Sequence, residues 1–197
     1  MLFRSNSASS PESKPRPGEL LVRIRASSLN FHDDLVVLGK IPSADGRIPL
    51  SDGAGEVIAV GDGVDEFKVA DTVVSTFWPY WLGGEMTPAT KRDIPGDSVD
   101  GYAREYVCMP AHAFTKAPAG YTHVEAATLT CAGVTAWRGL VVCGQVKPGD
   151  TVLTPWHGWC IAVRAAIRES CRRPSNRYLF LRGKVGKAQA SRGRCRH

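Results

Sequence analysis

The sequence predicts a mainly β fold with some α: a partly open β-barrel, then the first helix and strand of an incomplete βαβ nucleotide-binding domain, then a basic tail without regular structure. Three observations carry this. Five short alternating or β-branched runs lie between Glu19 and Pro118 with Gly and Pro between them, an alanine-rich run opens on a capping signal at Thr122, and the composition turns basic after Thr154.

Residues 1–18, "MLFRSNSASSPESKPRPG", are polar and rich in Ser and Pro, and read as a disordered lead-in. Order begins at Glu19. "ELLVRIRA" alternates Leu20, Val22 and Ile24 with Leu21, Arg23 and Arg25, a strand with one wet face. "GEVIAVG" and "DTVVSTF" flank "DGVDEFKVA", whose Gly-Asp-Gly entry supplies turn chemistry between two β-branched runs. "REYVCMP" and "HAFTKAP" are short and broken by prolines, which suits the edges of a sheet. These runs define a barrel domain over 19–120.

The rhythm changes at 121–154. Thr122 followed by Glu125 is a capping box, in which the hydroxyl accepts a free amide of the first helical turn and the carboxylate reaches back. Ala126, Ala127, Ala132, Ala136, Trp137 and Leu140 continue it as a packed helix. Pro148-Gly149-Asp150 then turns the chain into an apolar strand at Thr151. A helix delivering a short apolar strand is how a βαβ nucleotide-binding unit begins, and a glycine-rich loop should follow.

Charge divides at the same place. Residues 155–197 hold 11 Lys and Arg against one acid, Glu169, while the preceding 154 residues hold 14 basic and 18 acidic residues. The net charge of +6 therefore comes from the tail alone, so the body is a poor nucleic-acid binder and only residues 155–197 could engage one. No run of 18 apolar residues occurs and Met1 to Ser13 has no apolar core segment, so the reading is cytoplasmic, without membrane span or secretory signal. Six cysteines without C-x-x-C spacing read as reduced thiols.

The ordered landmarks "PGELLVRIRASSLNFHDDLVV", "SDGAGEVIAVGDGVDEFKVADTVV", "GYAREYVCMP", "EAATLTCAGVTAWRGL" and "VKPGDTVL" resemble the medium-chain dehydrogenase/reductase superfamily over residues 17–154. They are most similar to its zinc-independent alcohol dehydrogenase-like and quinone oxidoreductase branch. The resemblance implies a GroES-like barrel at 19–120, a Rossmann domain beginning at 121–154, and NADP or NAD as cofactor. It further implies hydride transfer to a small carbonyl, quinone or activated alkene, and a homodimer. The zinc ligands of the metal-dependent branch fall on Asn30, Ser51 and Cys131, one soft ligand where a catalytic zinc needs about three, and the loop before Gly101 has no cysteine for a structural zinc. No metal is expected. Cys131 reads as a small buried apolar residue.

The resemblance places Asn30 and Asp33 of "SLNFHDD" at the cleft as catalytic candidates, with Asn30 also orienting the nicotinamide or a substrate carbonyl; Asn30 reads equally as a helix N-cap. His32 reads as a satisfied turn residue. Thr135 of "CAGVTAW" matches a cofactor-binding position near the nicotinamide, and reads equally as a helical packing residue. Gly53 and Gly55 precede a β-branched run instead of a helix, so they read as turn and close-packing glycines, with Asp52 bonding amides of that turn. Trp78, Tyr80 and Trp81 could line an apolar pocket or be plain core.

The tail admits two readings. One is a basic nucleic-acid arm, making the chain a non-enzymatic binding protein. The other is a shifted reading frame. Taking the last two bases of each codon with the first of the next, Trp156 and Trp159 must become glycines, and the shifted frame is compatible with "GTGGVSLFALQFAKAAGARVIATSSS", a glycine-rich loop, helix and second strand. On this reading residues 155–197 are a non-native tail and the chain is an inactive fragment. It has no pyrophosphate cradle, binds no cofactor, and is prone to aggregate or to depend on a partner. An unshifted frame across the codons of Leu153 to Trp159 would remove it.

Overall fold

A computed structural model describes residues 14–147, 151–155, 177–182 and 189–193. The chain divides into two compact units, Met1–Cys131 and Ala132–His197.

The first unit is built on a five-stranded sheet. Its strands are β1 (Glu19–Ser28), β2 (Asp52–Val60), β3 (Thr72–Ser75), β4 (Tyr106–Pro110) and β5 (Phe114–Lys116), in the order β4-β1-β2-β3-β5, with every pairing antiparallel. The two proline-bounded strands occupy the edges, where a missing N–H costs no ladder bond. Leu20, Val22, Val57, Val73, Val107 and Phe114 meet around the Tyr102 ring to form the core. The alternation in β1 holds except at Leu21. Expected on the wet face with Arg23 and Arg25, it is buried, because the register against β2 shifts between Leu21 and Val22.

β2 begins at Asp52, three residues before the expected strand. Asp52, Gly53 and Gly55 therefore lie in the ladder, opposite Ser28, Ser27 and Ile24, and not in a turn. The close-packing role of the glycines stands. A Cβ on Gly53 would enter the Tyr102 ring, and one on Gly55 would strike the Arg23 carbonyl of β1. Just before β2, backbone bonds from Gly101 N to Ile48 O (2.7 Å) and from Tyr102 N to Leu50 O (2.8 Å) pin the entering segment. Leu50 sits at φ +76°, a left-handed conformation that costs a non-glycine residue on the order of 1 kcal/mol and here turns the chain into Ser51 and Asp52.

Two helices complete this unit. α1 (Phe31–Val37) follows β1 directly, and α2 (His123–Ala127) carries the expected capping box: Glu125 N donates to Thr122 Oγ1 at 3.3 Å and Thr122 N to Glu125 Oε2 at 3.0 Å. Ala126 and Ala127 are fully buried against Ala54 and Val74, which fixes α2 on β2 and β3. Small side chains allow that close approach.

The helix does not continue as a regular α-helix. Leu129–Gly133 is a π turn, α3 (Val134–Trp137) follows, and Arg138–Cys143 is again π. In the second unit Ala136 packs with Ala132 and Leu140, whereas Trp137, expected to pack, is 42 % exposed. β6 (Thr151–Pro155) forms where the apolar strand was expected. It pairs in parallel with β7 (Arg177–Arg182), which pairs antiparallel with β8 (Gln189–Gly193). The tail, expected to lack regular structure, thus contains two strands; residues 156–176, on which the dinucleotide-loop reading falls, lie outside the described residues.

Candidate functional site

The site is assembled where β1 ends and β2 begins. Their antiparallel register sets Ser28 opposite Asp52, so the residues just beyond one strand face those just before the other. Asn30 is the N-cap of α1, in extended conformation (φ −116°, ψ 158°), and its backbone N–H donates to Asp33 Oδ2 at 2.8 Å. The second carboxylate oxygen, Asp33 Oδ1, accepts the Ser51 N–H at 2.9 Å. Asp33 is thus a buried clip, 4 % exposed, with both oxygens engaged by backbone N–H groups.

With its backbone spent on the cap, Asn30 turns its side chain toward β2. Nδ2 donates to Asp52 Oδ2 at 2.9 Å and to Ser51 Oγ at 3.3 Å. The expectation that Asp52 would bond amides of its own turn is replaced by a longer reach. Its Oδ2 also accepts the Cys131 N–H at 3.1 Å, from the π turn after α2. π turns recur at functional sites. Ser27 Oγ holds the Asp52 carbonyl at 2.7 Å, and Ser75 Oγ accepts the Gly53 N–H at 2.9 Å, so backbone and side chain of this stretch are both fixed.

Asp52 is wholly buried and its Oδ1 has no hydrogen-bond partner among the described residues. Burial pushes its carboxyl up to about 7, opposed by the bonds from Asn30 and Cys131 and reinforced by the nearby Asp33 carboxylate. The Cys131 thiol is pushed up to about 12, first by burial and then by the Asp52 and Asp33 carboxylates. A thiol so held is a poor nucleophile, because attack needs the thiolate. Among the described residues no three His, Cys, Asp or Glu side chains converge as a metal site.

The other candidates are placed elsewhere. His32, expected as a satisfied turn residue, lies in α1 instead: its buried Nε2 is 3.4 Å from Asp97 Oδ2 without hydrogen-bond geometry, and its ring meets Phe77 edge-on at 5.1 Å. Thr135 is exposed on α3, in the second unit. Tyr80 lines a cavity of about 250 Å³ with Arg104, Cys108 and Met109, while Trp78 packs against Phe77; the Arg92 guanidinium stacks on Tyr80 at 3.9 Å. No described helix is long and apolar enough to cross a membrane. The residue most central to the site, Asp52, was passed over in the sequence as a turn residue. The signal available was an Asp one step before two glycines, followed by a β-branched run.

Comparison with known proteins places residues 16–119 in the alcohol dehydrogenase GroES-like domain family. A zinc-type alcohol dehydrogenase-like protein of Schizosaccharomyces pombe is 41% identical over 144 residues, covering 71% of this chain and 42% of that protein. Alcohol dehydrogenase 1 of Emericella nidulans is 35% identical over 153 residues, covering 72% and 43%. A crystal structure of an NAD-dependent alcohol dehydrogenase superposes with a TM-score of 0.76 at 30% identity, over 90% of this chain and 53% of that one. The chain thus spans about half the length of these three proteins.

Proposed function

Because the chain belongs to the medium-chain dehydrogenase/reductase superfamily, through its alcohol dehydrogenase GroES-like domain, we propose that it is the substrate-side part of a zinc-independent, NAD(P)H-dependent oxidoreductase. The parent reaction is hydride transfer to a small carbonyl, quinone or activated alkene. The observation that carries this reading is the Asn30–Ser51–Asp52–Cys131 cluster. At the positions where the metal-dependent branch holds zinc, it sets an amide, a hydroxyl and a single thiol, with the Asn30 amide bonding Ser51 Oγ and Asp52 Oδ2 and the Cys131 backbone N–H bonding the same Asp52 oxygen. At these three positions an amide and a hydroxyl are not zinc donors, and one cysteine falls short of the roughly three ligands a catalytic zinc takes. The Schizosaccharomyces pombe relative bears a zinc-type name; this chain departs from that type in its donor set.

When bound, the nicotinamide supplies the hydride, and a dry cleft and fixed hydrogen bonds are what a protein adds. Asn30 is the residue facing the ligand, Asp33 positions it by clipping the cap to Ser51, and Thr135 is the cofactor-side candidate. The stretch after β6, Trp156-His157-Gly158-Trp159, does not offer the G-x-G-x-x-G pattern that cradles a pyrophosphate. The 197 residues therefore bind no dinucleotide tightly and carry no reductase activity, in keeping with a shifted frame after Pro155. Fluorescence titration of the purified chain with NADPH and NADH tests this. Dissociation constants weaker than about 1 mM are expected, whereas micromolar binding of either would contradict the proposal.

A further inference from the structure

We propose that the cavity beside β4 binds a small aromatic α-amino acid, Arg104 taking its carboxylate and Asp93 its ammonium group. The cavity, of about 250 Å³, lies within the first unit between the 79–100 segment and β4, and Arg104 and Asp93 both line it. Opposite charges in one cavity ordinarily pair with each other. Here neither the Arg104 guanidinium nor the Asp93 carboxylate has an ion-pair partner among the described residues. Asp100, which also lines the cavity, is engaged elsewhere: its Oδ1 accepts from Arg47 Nη1 at 2.9 Å and from the Ile48 N–H at 3.2 Å. Glu105, next to Arg104 in sequence, faces Arg23 at 3.8 Å.

Of the Arg104 guanidinium nitrogens only Nη2 is bonded, donating to the Asp100 carbonyl at 3.3 Å. Nε is buried without a partner, while Nη1 has none among the described residues and is not sealed. Burial holds the Arg104 pKa below the ordinary guanidinium value, against the pull of Asp100, Tyr102 and Cys108. A half-buried cation so under-satisfied is what a ligand carboxylate completes, because the planar fork donates to it twice. Asp93, half-buried and bonded to no described residue, leaves its oxygens to an ammonium group. The Cys108 thiol donates to Glu19 Oε2 at 3.3 Å and burial pushes it up to about 11, so it does not react with the ligand. The other walls are apolar and held in place. Tyr80 carries the Arg92 guanidinium on its ring at 3.9 Å and meets the His112 ring at 5.0 Å, and Met109 Sδ accepts the Tyr102 hydroxyl at 3.6 Å. A ring and a thioether both favour an aromatic side chain. The volume lies below that of drug-sized pockets and suits a molecule of about ten heavy atoms. No residue of this cavity belongs to the Asn30–Asp52 cluster, so its test is independent of the dinucleotide titration.

Ligand-observed NMR titration of the 197-residue chain with phenylalanine, 3-phenylpropionate and phenethylamine tests it. The three share one apolar body; the second lacks the ammonium group and the third the carboxylate. Phenylalanine is expected to bind at least about tenfold more tightly than either fragment, as befits the loss of one charge-assisted bond. Arg104→Gln is expected to bring phenylalanine to the level of phenethylamine and to leave phenethylamine unchanged. Asp93→Asn is expected to bring phenylalanine to the level of 3-phenylpropionate and to leave that acid unchanged. A merely structural role for either residue would weaken all three ligands together. If Arg104→Gln fails to fold, Asp93→Asn and the wild-type ranking decide the matter. A fragment that binds as tightly as phenylalanine, affinities indifferent to both substitutions, or no binding of phenylalanine at about 10 mM, overturns the proposal.

Discussion

The unfolding free energy of the chain is expected to fall as pH rises from about 4 to about 7, and Asp52→Asn is expected to flatten that profile. The Asp52 carboxyl is raised from 3.8 to about 7 in the folded protein, chiefly by burial. Between those two values the folded state binds a proton that the unfolded state has released, so each pH step upward favours unfolding. The protonated form stabilises the fold fully below 3.8, and this contribution is lost by about pH 7. At 1.36 kcal/mol per pH unit the loss is on the order of 4 kcal/mol. Glu19 and Asp71 shift the other way, both lowered chiefly by backbone hydrogen bonds, from Arg16 and Lys68. Their contributions vanish only as pH falls through their lowered values, below this window. Urea titrations from pH 4 to 8 would show the slope. A profile that is flat, or equally steep in Asp52→Asn, would exclude Asp52 as the group responsible.

Gly55→Ala is expected to cost more than about 3 kcal/mol, enough to leave a domain of this size marginal. Gly55 lies in β2 opposite Ile24, and an added Cβ would meet the backbone carbonyl of Arg23, which cannot rotate away as a side chain could. Relief requires β1 and β2 to separate, and these two strands position Asn30 and Asp52. Gly83→Ala is the matched control: a Cβ there meets nothing within 4 Å. It is expected to stay within about 0.5 kcal/mol of wild type. Comparing the two by urea denaturation isolates the interstrand contact from the general effect of removing a glycine. Equal stability of both variants would contradict the close packing.

Much of the barrel was legible because its signals are local. The alternation of Leu20, Val22 and Ile24 is a property of one strand, Pro110 marks the end of β4, and the Thr122–Glu125 box closes within a single turn. Leu21 was misplaced because a bulge is set by the partner strand, whose register the β1 sequence does not contain. The site was legible only in part. Asn30 and Asp33 are three residues apart and their cap could be seen, but the bonds that define the site run from Asn30 to Asp52, 22 residues away, and from Cys131 to Asp52, 79 residues away. No local pattern encodes such a closure. Family resemblance brought Ser51 and Cys131 into view only as the positions matching zinc ligands of the metal-dependent branch; their hydrogen bonds to the Asn30 amide and the Asp52 carboxylate emerge from the folded register. In the tail, "RYLFLR" carries the β-branch-poor apolar content of a strand inside an arginine-rich segment, and its composition masked β7.

Zinc content tests the proposed zinc independence most directly. The purified chain would be equilibrated with excess zinc, freed of loose metal by gel filtration, and measured by plasma mass spectrometry. Fewer than about one zinc per ten chains is expected, because Asn30, Ser51 and Cys131 offer one thiol beside an amide and a hydroxyl where a metal site needs about three anionic or imidazole ligands. About one tightly held zinc per chain, released by Cys131→Ser, would contradict it.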